Sequence, residues 1–263
     1  MIERFRGDPD FSPLGRSLAW TAHLYTAVGL VLAAGMGVCI VRGGADDFRW
    51  AFGLMVVACL VDATDGSLAR RLRVKEVLPY FDGAKLDDLI DFLTFTSLPL
   101  ALVWRAQLLP DAAQWVLVFA LVASAYGFCQ IPAKSTDGHF VGFPSYWNIV
   151  AFYLYVLEIP PWFAAGLVFA LALLTFVPSY YMYPSRGGTL SRLTSFLGGV
   201  WVVLLFWILW GLKANDSSPD PSVPGQKHVL ALVSLFFPIY YMVASWGLSA
   251  RRWMRTHARQ NEN

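Results

Sequence analysis

The chain has 263 residues, 57% of them hydrophobic and only 14% charged, where an ordinary soluble domain carries about 25% charged residues. Its mean hydropathy is +0.51, and eleven Trp and eleven Tyr are available as interfacial anchors. Such a composition excludes a water-soluble globule and predicts an all-α, polytopic membrane protein. A net charge of +2 gives no reason to expect a nucleic-acid partner. Cys39, Cys59 and Cys129 lie singly in apolar segments, so neither a disulfide framework nor a thiolate metal site is expected.

The opening stretch, residues 1–10, is polar and leads to no short apolar core with a cleavage site, so a cleaved signal peptide is not expected. A membrane span needs about twenty apolar residues. Eight candidates follow in order: residues 17–41, 48–69, 86–104, 112–131, 146–157, 161–181, 193–212 and 229–248. They form one integral membrane domain over 1–263, with no linker long enough to separate two. Eight spans put both termini on one side. With that side inside, fifteen of the twenty Lys and Arg fall in inside segments, among them Arg70, Arg71, Arg73, Lys75, Lys85, Lys134 and Arg186. By the positive-inside rule both termini are then cytoplasmic.

Four carboxylates interrupt this pattern. Asp62 and Asp65 end the second span, and Asp87 and Asp91 open the third. An ionised carboxylate in hydrocarbon costs roughly 2.5–3.5 kcal/mol or more, so something must compensate. On a helix Asp62, Asp65, Gly66 and Ala69 share one stripe, and Gly83, Asp87 and Asp91 share another. Two antiparallel neighbours could face these stripes toward each other. Four hard oxygen donors without Cys or His suit Mg²⁺, Mn²⁺ or Ca²⁺ rather than zinc. The small residues Gly66, Ala69 and Gly83 would leave room for a ligand against the backbone. His23, His139, His228 and His257 have no metal-ligand spacing, although His23, inside the first span, wants a polar partner.

The run Asp62-x2-Asp65-Gly66-x2-Ala69-Arg70, then Gly83-x3-Asp87-x3-Asp91, resembles the signature of the CDP-alcohol phosphotransferases, integral membrane enzymes of phospholipid synthesis. Its spacer from Arg71 to Asp82 is longer than that family's usual one and contains Val74-Lys75-Glu76-Val77-Leu78-Pro79. In this, and in the stretches Gly142-Phe143-Pro144-Ser145-Tyr146-Trp147-Asn148 and Tyr183-Pro184-Ser185-Arg186, the chain resembles the bacterial branch that makes phosphatidylcholine.

The resemblance implies a six-helix catalytic core within 17–185 and two additional helices in 193–250. It implies a bacterial inner-membrane enzyme with a cytoplasmic active site that transfers the phosphatidyl group of CDP-diacylglycerol to choline and releases CMP. Asp62, Asp65, Asp87 and Asp91 would hold Mg²⁺ or Mn²⁺, with Asp91 as general base. Gly66, Ala69, Arg70 and Gly83 would line the CDP and its phosphates, with Lys134 and Arg186 as further phosphate contacts. A homodimer is implied by the resemblance alone. Choline, a quaternary ammonium, is recognised through aromatic faces, and the candidates are Phe143, Tyr146, Trp147, Tyr180, Tyr181 and Tyr183. Aromatic residues at such positions more often belong to the membrane's aromatic belt.

Other functions remain open from sequence. The acceptor could be serine, glycerol phosphate or inositol phosphate, although a phosphorylated acceptor would want a further cationic cluster. A membrane prenyltransferase also holds magnesium pyrophosphate on aspartates, but without the D-G-x2-A-R run. A cation or proton transporter would place its acids near the midplane, whereas these cluster at one edge beside basic residues.

Overall fold

The computed structural model describes residues 12–130, 139–182, 189–211 and 224–261. Lys134, Tyr183 and Arg186 lie outside the described residues. The chain forms two compact units, Met1–Leu98 and Pro99–Asn263.

In the first unit, helix α1 (Pro13–Arg42) starts where Ser12 Oγ accepts the Gly15 amide at 3.1 Å and Pro13 takes the first position. Gly43, at φ 63°, turns the chain into α2 (Ala45–Arg71), which packs back along α1. The long spacer then forms a short helix, α3 (Val74–Val77). Val74, Val77 and Leu78 bury themselves against Ala19 and Ala22 of α1, flanked by Trp20, Leu68, Ala69 and Leu72. The extra length is therefore an apolar plug beneath the first two helices, not an open loop.

Helix α4 (Gly83–Asp91) opens with the Asp82 carboxylate accepting the Lys85 amide at 3.2 Å. It runs on through a wider, π-helical turn, Phe92–Ser97, into α5 (Leu98–Arg105). Pro99 explains the wide turn, because it lacks the N–H that a regular α-helix would donate to the Phe95 carbonyl. The third expected span is thus helical with a defect, starting three residues earlier than the apolar run suggests.

The second unit contains α6 (Trp115–Cys129), α7 (Trp147–Val156), α8 (Pro161–Leu174), α9 (Thr189–Gly211), α10 (Pro224–Ser234) and α11 (Phe236–Asn261). Five helices among the described residues are long and apolar enough to cross a membrane, and α7 and α8 are shorter apolar helices. Each of the eight expected segments contains helix, although the sixth, 161–181, is helical only to Leu174 and ends in a strand, and the protein is a multi-pass, mainly helical membrane protein. The last is broken at Leu235, where Pro238 withholds the amide that would have bonded the Ser234 carbonyl.

One pairing was not expected from sequence. Strands β1 (His139–Val141) and β2 (Tyr180–Met182) form a three-residue antiparallel ribbon that sets Phe140 opposite Tyr181. It brings the Gly142–Asn148 stretch beside the end of α8, where the Phe143 amide donates to the Leu174 carbonyl at 3.2 Å. Gly142 is required at this crossing, since its φ is +85° and a Cβ would overlap the Thr175 carbonyl.

Candidate active site

The acidic stripes meet as helix periodicity predicts, with one exception. Asp62 on α2 and Asp87 and Asp91, one turn apart on α4, each offer a carboxylate oxygen, and these three oxygens lie within 4.8 Å of one another. Asp62 is exposed, and Asp87 and Asp91 are half-buried. Three acceptor-only groups this close repel one another, and a divalent cation removes that repulsion. Oxygen ligands at about 2.0–2.6 Å from one ion lie within about 4–5 Å of each other, so the donor set fits a hard divalent cation by both chemistry and spacing.

Asp65 does not join the three. Three residues along an α-helix turn a side chain about 60° away from its neighbour on the stripe, and Asp65 is buried, at 6% exposure. Its Oδ2 accepts a hydrogen bond from Thr26 Oγ1 of α1 at 2.8 Å. One residue earlier on each helix, the Tyr25 hydroxyl and Thr64 Oγ1 pair at 2.8 Å. Helix α1 is therefore a wall of the site that the acidic signature gave no sign of. Polar and small residues inside this first span, His23, Thr26 and Gly29, were the available signal.

The small signature residues turn out to admit neighbours from within the protein. A Cβ at Gly83 would run into the His23 imidazole, and one at Gly29 would overlap Ile90. Gly83 thus lets the start of α4 close on α1. The His23 ring is held by Phe81, at 4.4 Å between centroids, and by Trp20, at 5.8 Å. Its neighbours are thus aromatic, and among the described residues Nε2 has no hydrogen-bond partner. A Cβ at Gly66 would sit 3.3 Å from Arg70 Nη1, so the exposed Arg70 side chain lies back over Gly66, with Nη2 donating to Ser67 Oγ at 3.0 Å. Ala69 is packed in the apolar cluster around α3.

In the second unit the aromatic candidates divide. Phe143 and Trp147 are core residues in edge-to-face contact at 5.3 Å, and the Trp147 indole donates to Ser124 Oγ at 2.7 Å. Tyr146 and the fully buried Tyr181 both contact Tyr241 of α11, at 6.0 and 6.4 Å between centroids. Tyr241 was not among the sequence candidates, because it lies about sixty residues beyond the ribbon that carries Tyr181. Tyr180 belongs to β2.

A membrane-helix protein with an acidic, cation-fitting cluster across two helices defines the class. Within it, the family model for CDP-alcohol phosphatidyltransferase matches residues 19–177. The chain is 38% identical over 193 residues to the phosphatidylcholine synthase of Pseudomonas aeruginosa, covering 73% of this chain and 80% of that protein. It is 41% identical over 199 residues to that of Bradyrhizobium diazoefficiens, covering 75% and 73%. Against that of Borreliella burgdorferi it is 30% identical over 179 residues, covering 67% and 75%. The chain belongs to the CDP-alcohol phosphatidyltransferase family.

Proposed function

We propose that the protein transfers the phosphatidyl group of CDP-diacylglycerol to choline, giving phosphatidylcholine and CMP. The observation that carries this reading is the convergence of Asp62, Asp87 and Asp91 within 4.8 Å in a chain whose relatives are phosphatidylcholine synthases.

In this reading Asp62, Asp87 and Asp91 hold Mg²⁺ or Mn²⁺, with Asp65 as the fourth carboxylate. The bound cation would neutralise the diphosphate and stabilise the departing CMP. Asp91 takes the proton from the choline hydroxyl. The freed oxygen bonds to the lipid-side phosphorus, the bond from that phosphorus to the CMP oxygen breaks, and CMP leaves with the electron pair. Arg70, exposed at the end of α2, is the phosphate contact that the signature supplies. Lys134 and Arg186 keep that role as candidates on sequence grounds. Tyr146 keeps its candidacy for the quaternary ammonium on sequence grounds, and within the second unit it contacts Tyr241. The distribution of basic residues supports a site on the cytoplasmic side of a bacterial inner membrane.

The test is CMP release by the purified protein in detergent, with CDP-diacylglycerol as donor and choline, serine, glycerol phosphate or inositol phosphate as sole acceptor. Release with choline alone, abolished by a chelator and restored by Mn²⁺, is the expected result. Asp91→Asn should lose at least about a hundredfold in turnover, the lower range for a general base. Release with serine and none with choline would assign another acceptor.

A further inference from the structure

We propose that Thr26, on α1 and outside the acidic signature, is a positioning residue that sets the carboxylate of Asp65 for metal binding. The inference rests on the assignment of Asp65 to the cation. Four observations carry it. Asp65 is the buried member of the acidic set, at 6% exposure. Its Oδ2 receives a 2.8 Å hydrogen bond from Thr26 Oγ1. The same hydroxyl lies 3.4 Å from the Ala22 carbonyl of its own helix, so Thr26 has a weaker local alternative and its donation to Asp65 is the shorter bond. Finally, Asp65 lies outside the group of three close carboxylates, and the Thr26 hydroxyl is a contact that holds it in place.

A carboxylate has two oxygens and several lone pairs. A hydroxyl on one oxygen fixes the rotation of the group. Removing such a supporting hydrogen bond lowers metal affinity, typically by 10–100-fold. Thr26 is well suited to the task because its β-branched side chain has few rotamers in a helix and α1 is anchored alongside. The Tyr25–Thr64 bond ties the same turns of α1 and α2, and Gly29 against Ile90 and His23 against Gly83 seat α1 on α4.

The experiment is a titration of the full-length protein in detergent with Mn²⁺, read by the electron paramagnetic resonance signal of free Mn²⁺, with no donor or acceptor present. Wild type, Thr26→Val and Thr26→Ser are compared, each also melted without metal. The expected result is a Mn²⁺ Kd raised roughly tenfold or more in Thr26→Val. Thr26→Ser, which keeps the hydroxyl, should stay within about twofold of wild type. Should Thr26→Val not fold, Thr26→Ala takes its place. Wild-type affinity in the hydroxyl-free variant overturns the proposal, as does a Ser variant that binds as weakly as the Val variant. The readout needs no turnover, so failure to use choline would leave this result standing. A null effect of Thr26 alongside Asp62→Asn losing Mn²⁺ would sink Thr26's role and spare the metal site.

Discussion

The two units handle polar groups differently. In the second unit two sets of neutral groups close on one another. Ser145 Oγ donates to Ser124 Oγ at 3.0 Å, and Ser124 accepts from the Trp147 indole. Tyr153 takes the Trp201 indole at 2.9 Å and pairs with Ser234 Oγ at 2.8 Å. Hydroxyls both donate and accept, so such sets satisfy themselves within the protein. In the first unit, beside neutral buried groups such as Thr94, carboxylates gather at the ends of two helices, and when ionised these only accept. Three of them lie close enough for their like charges to repel, and a divalent cation would relieve that repulsion. Neutral pairs hold helices together, whereas a cluster of carboxylates has the chemistry of a cation site.

The sharpest test exchanges charge for shape. Asp62→Asn and Asp87→Asn keep the volume of each side chain, remove one of three repelling charges and take away a hard anionic ligand. Each is expected to lower CMP release by at least about a hundredfold and to weaken Mn²⁺ binding, while the metal-free melting temperature stays level or rises. If melting fell by many degrees and Mn²⁺ still bound, the acidic cluster would be architecture like that of the second unit, and the contrast would fail.

A smaller effect is expected at Tyr146, the partly exposed member of the ring group with Tyr181 and Tyr241. A cation over an aromatic face is worth roughly 0.5–2 kcal/mol, so Tyr146→Ala should raise the KM for choline by about three- to thirtyfold. The KM for CDP-diacylglycerol should change little. Equal damage to both would make the tyrosines a packing cluster and leave the choline reading without its aromatic support.

The helices and the acidic site were legible because both depend on local spacing. Twenty apolar residues make a span, and acids at i and i+4 must share a helix face. Asp87 and Asp91 follow that rule, and Asp62 lies opposite them. What stayed hidden depends on neighbours distant in sequence. The buried Asp65 takes its hydrogen bond from Thr26, 39 residues earlier. Gly83 reads as space for a ligand until His23 is seen to fill it. The packing of the long spacer depends on Val74 and Val77 meeting Ala19 and Ala22, some fifty residues earlier. The ribbon pairing Phe140 with Tyr181 joins segments forty residues apart, which no short-range pattern encodes. Tyr241 was missed for the same reason.

The mildest prediction concerns Tyr153, whose hydroxyl joins three helices of the second unit. It sits on α7, Ser234 ends α10, and Trp201 lies on α9. Since the family match stops at residue 177, this network ties helices beyond that match to one within it. Tyr153→Phe keeps the ring and removes the oxygen. Ser234 retains its bond to the Ala231 carbonyl at 2.8 Å, so the group left stranded is the Trp201 indole N–H. The cost should be about 1 kcal/mol, in the range of single hydrogen bonds between membrane helices. It should appear as a drop of a few degrees in melting temperature, with kcat and both KM values within about twofold of wild type. The neutral network would then be confined to holding helices together. A large loss of turnover at unchanged melting temperature would instead make Tyr153 part of the chemistry, and the division between a reactive first unit and a structural second one would have to be abandoned.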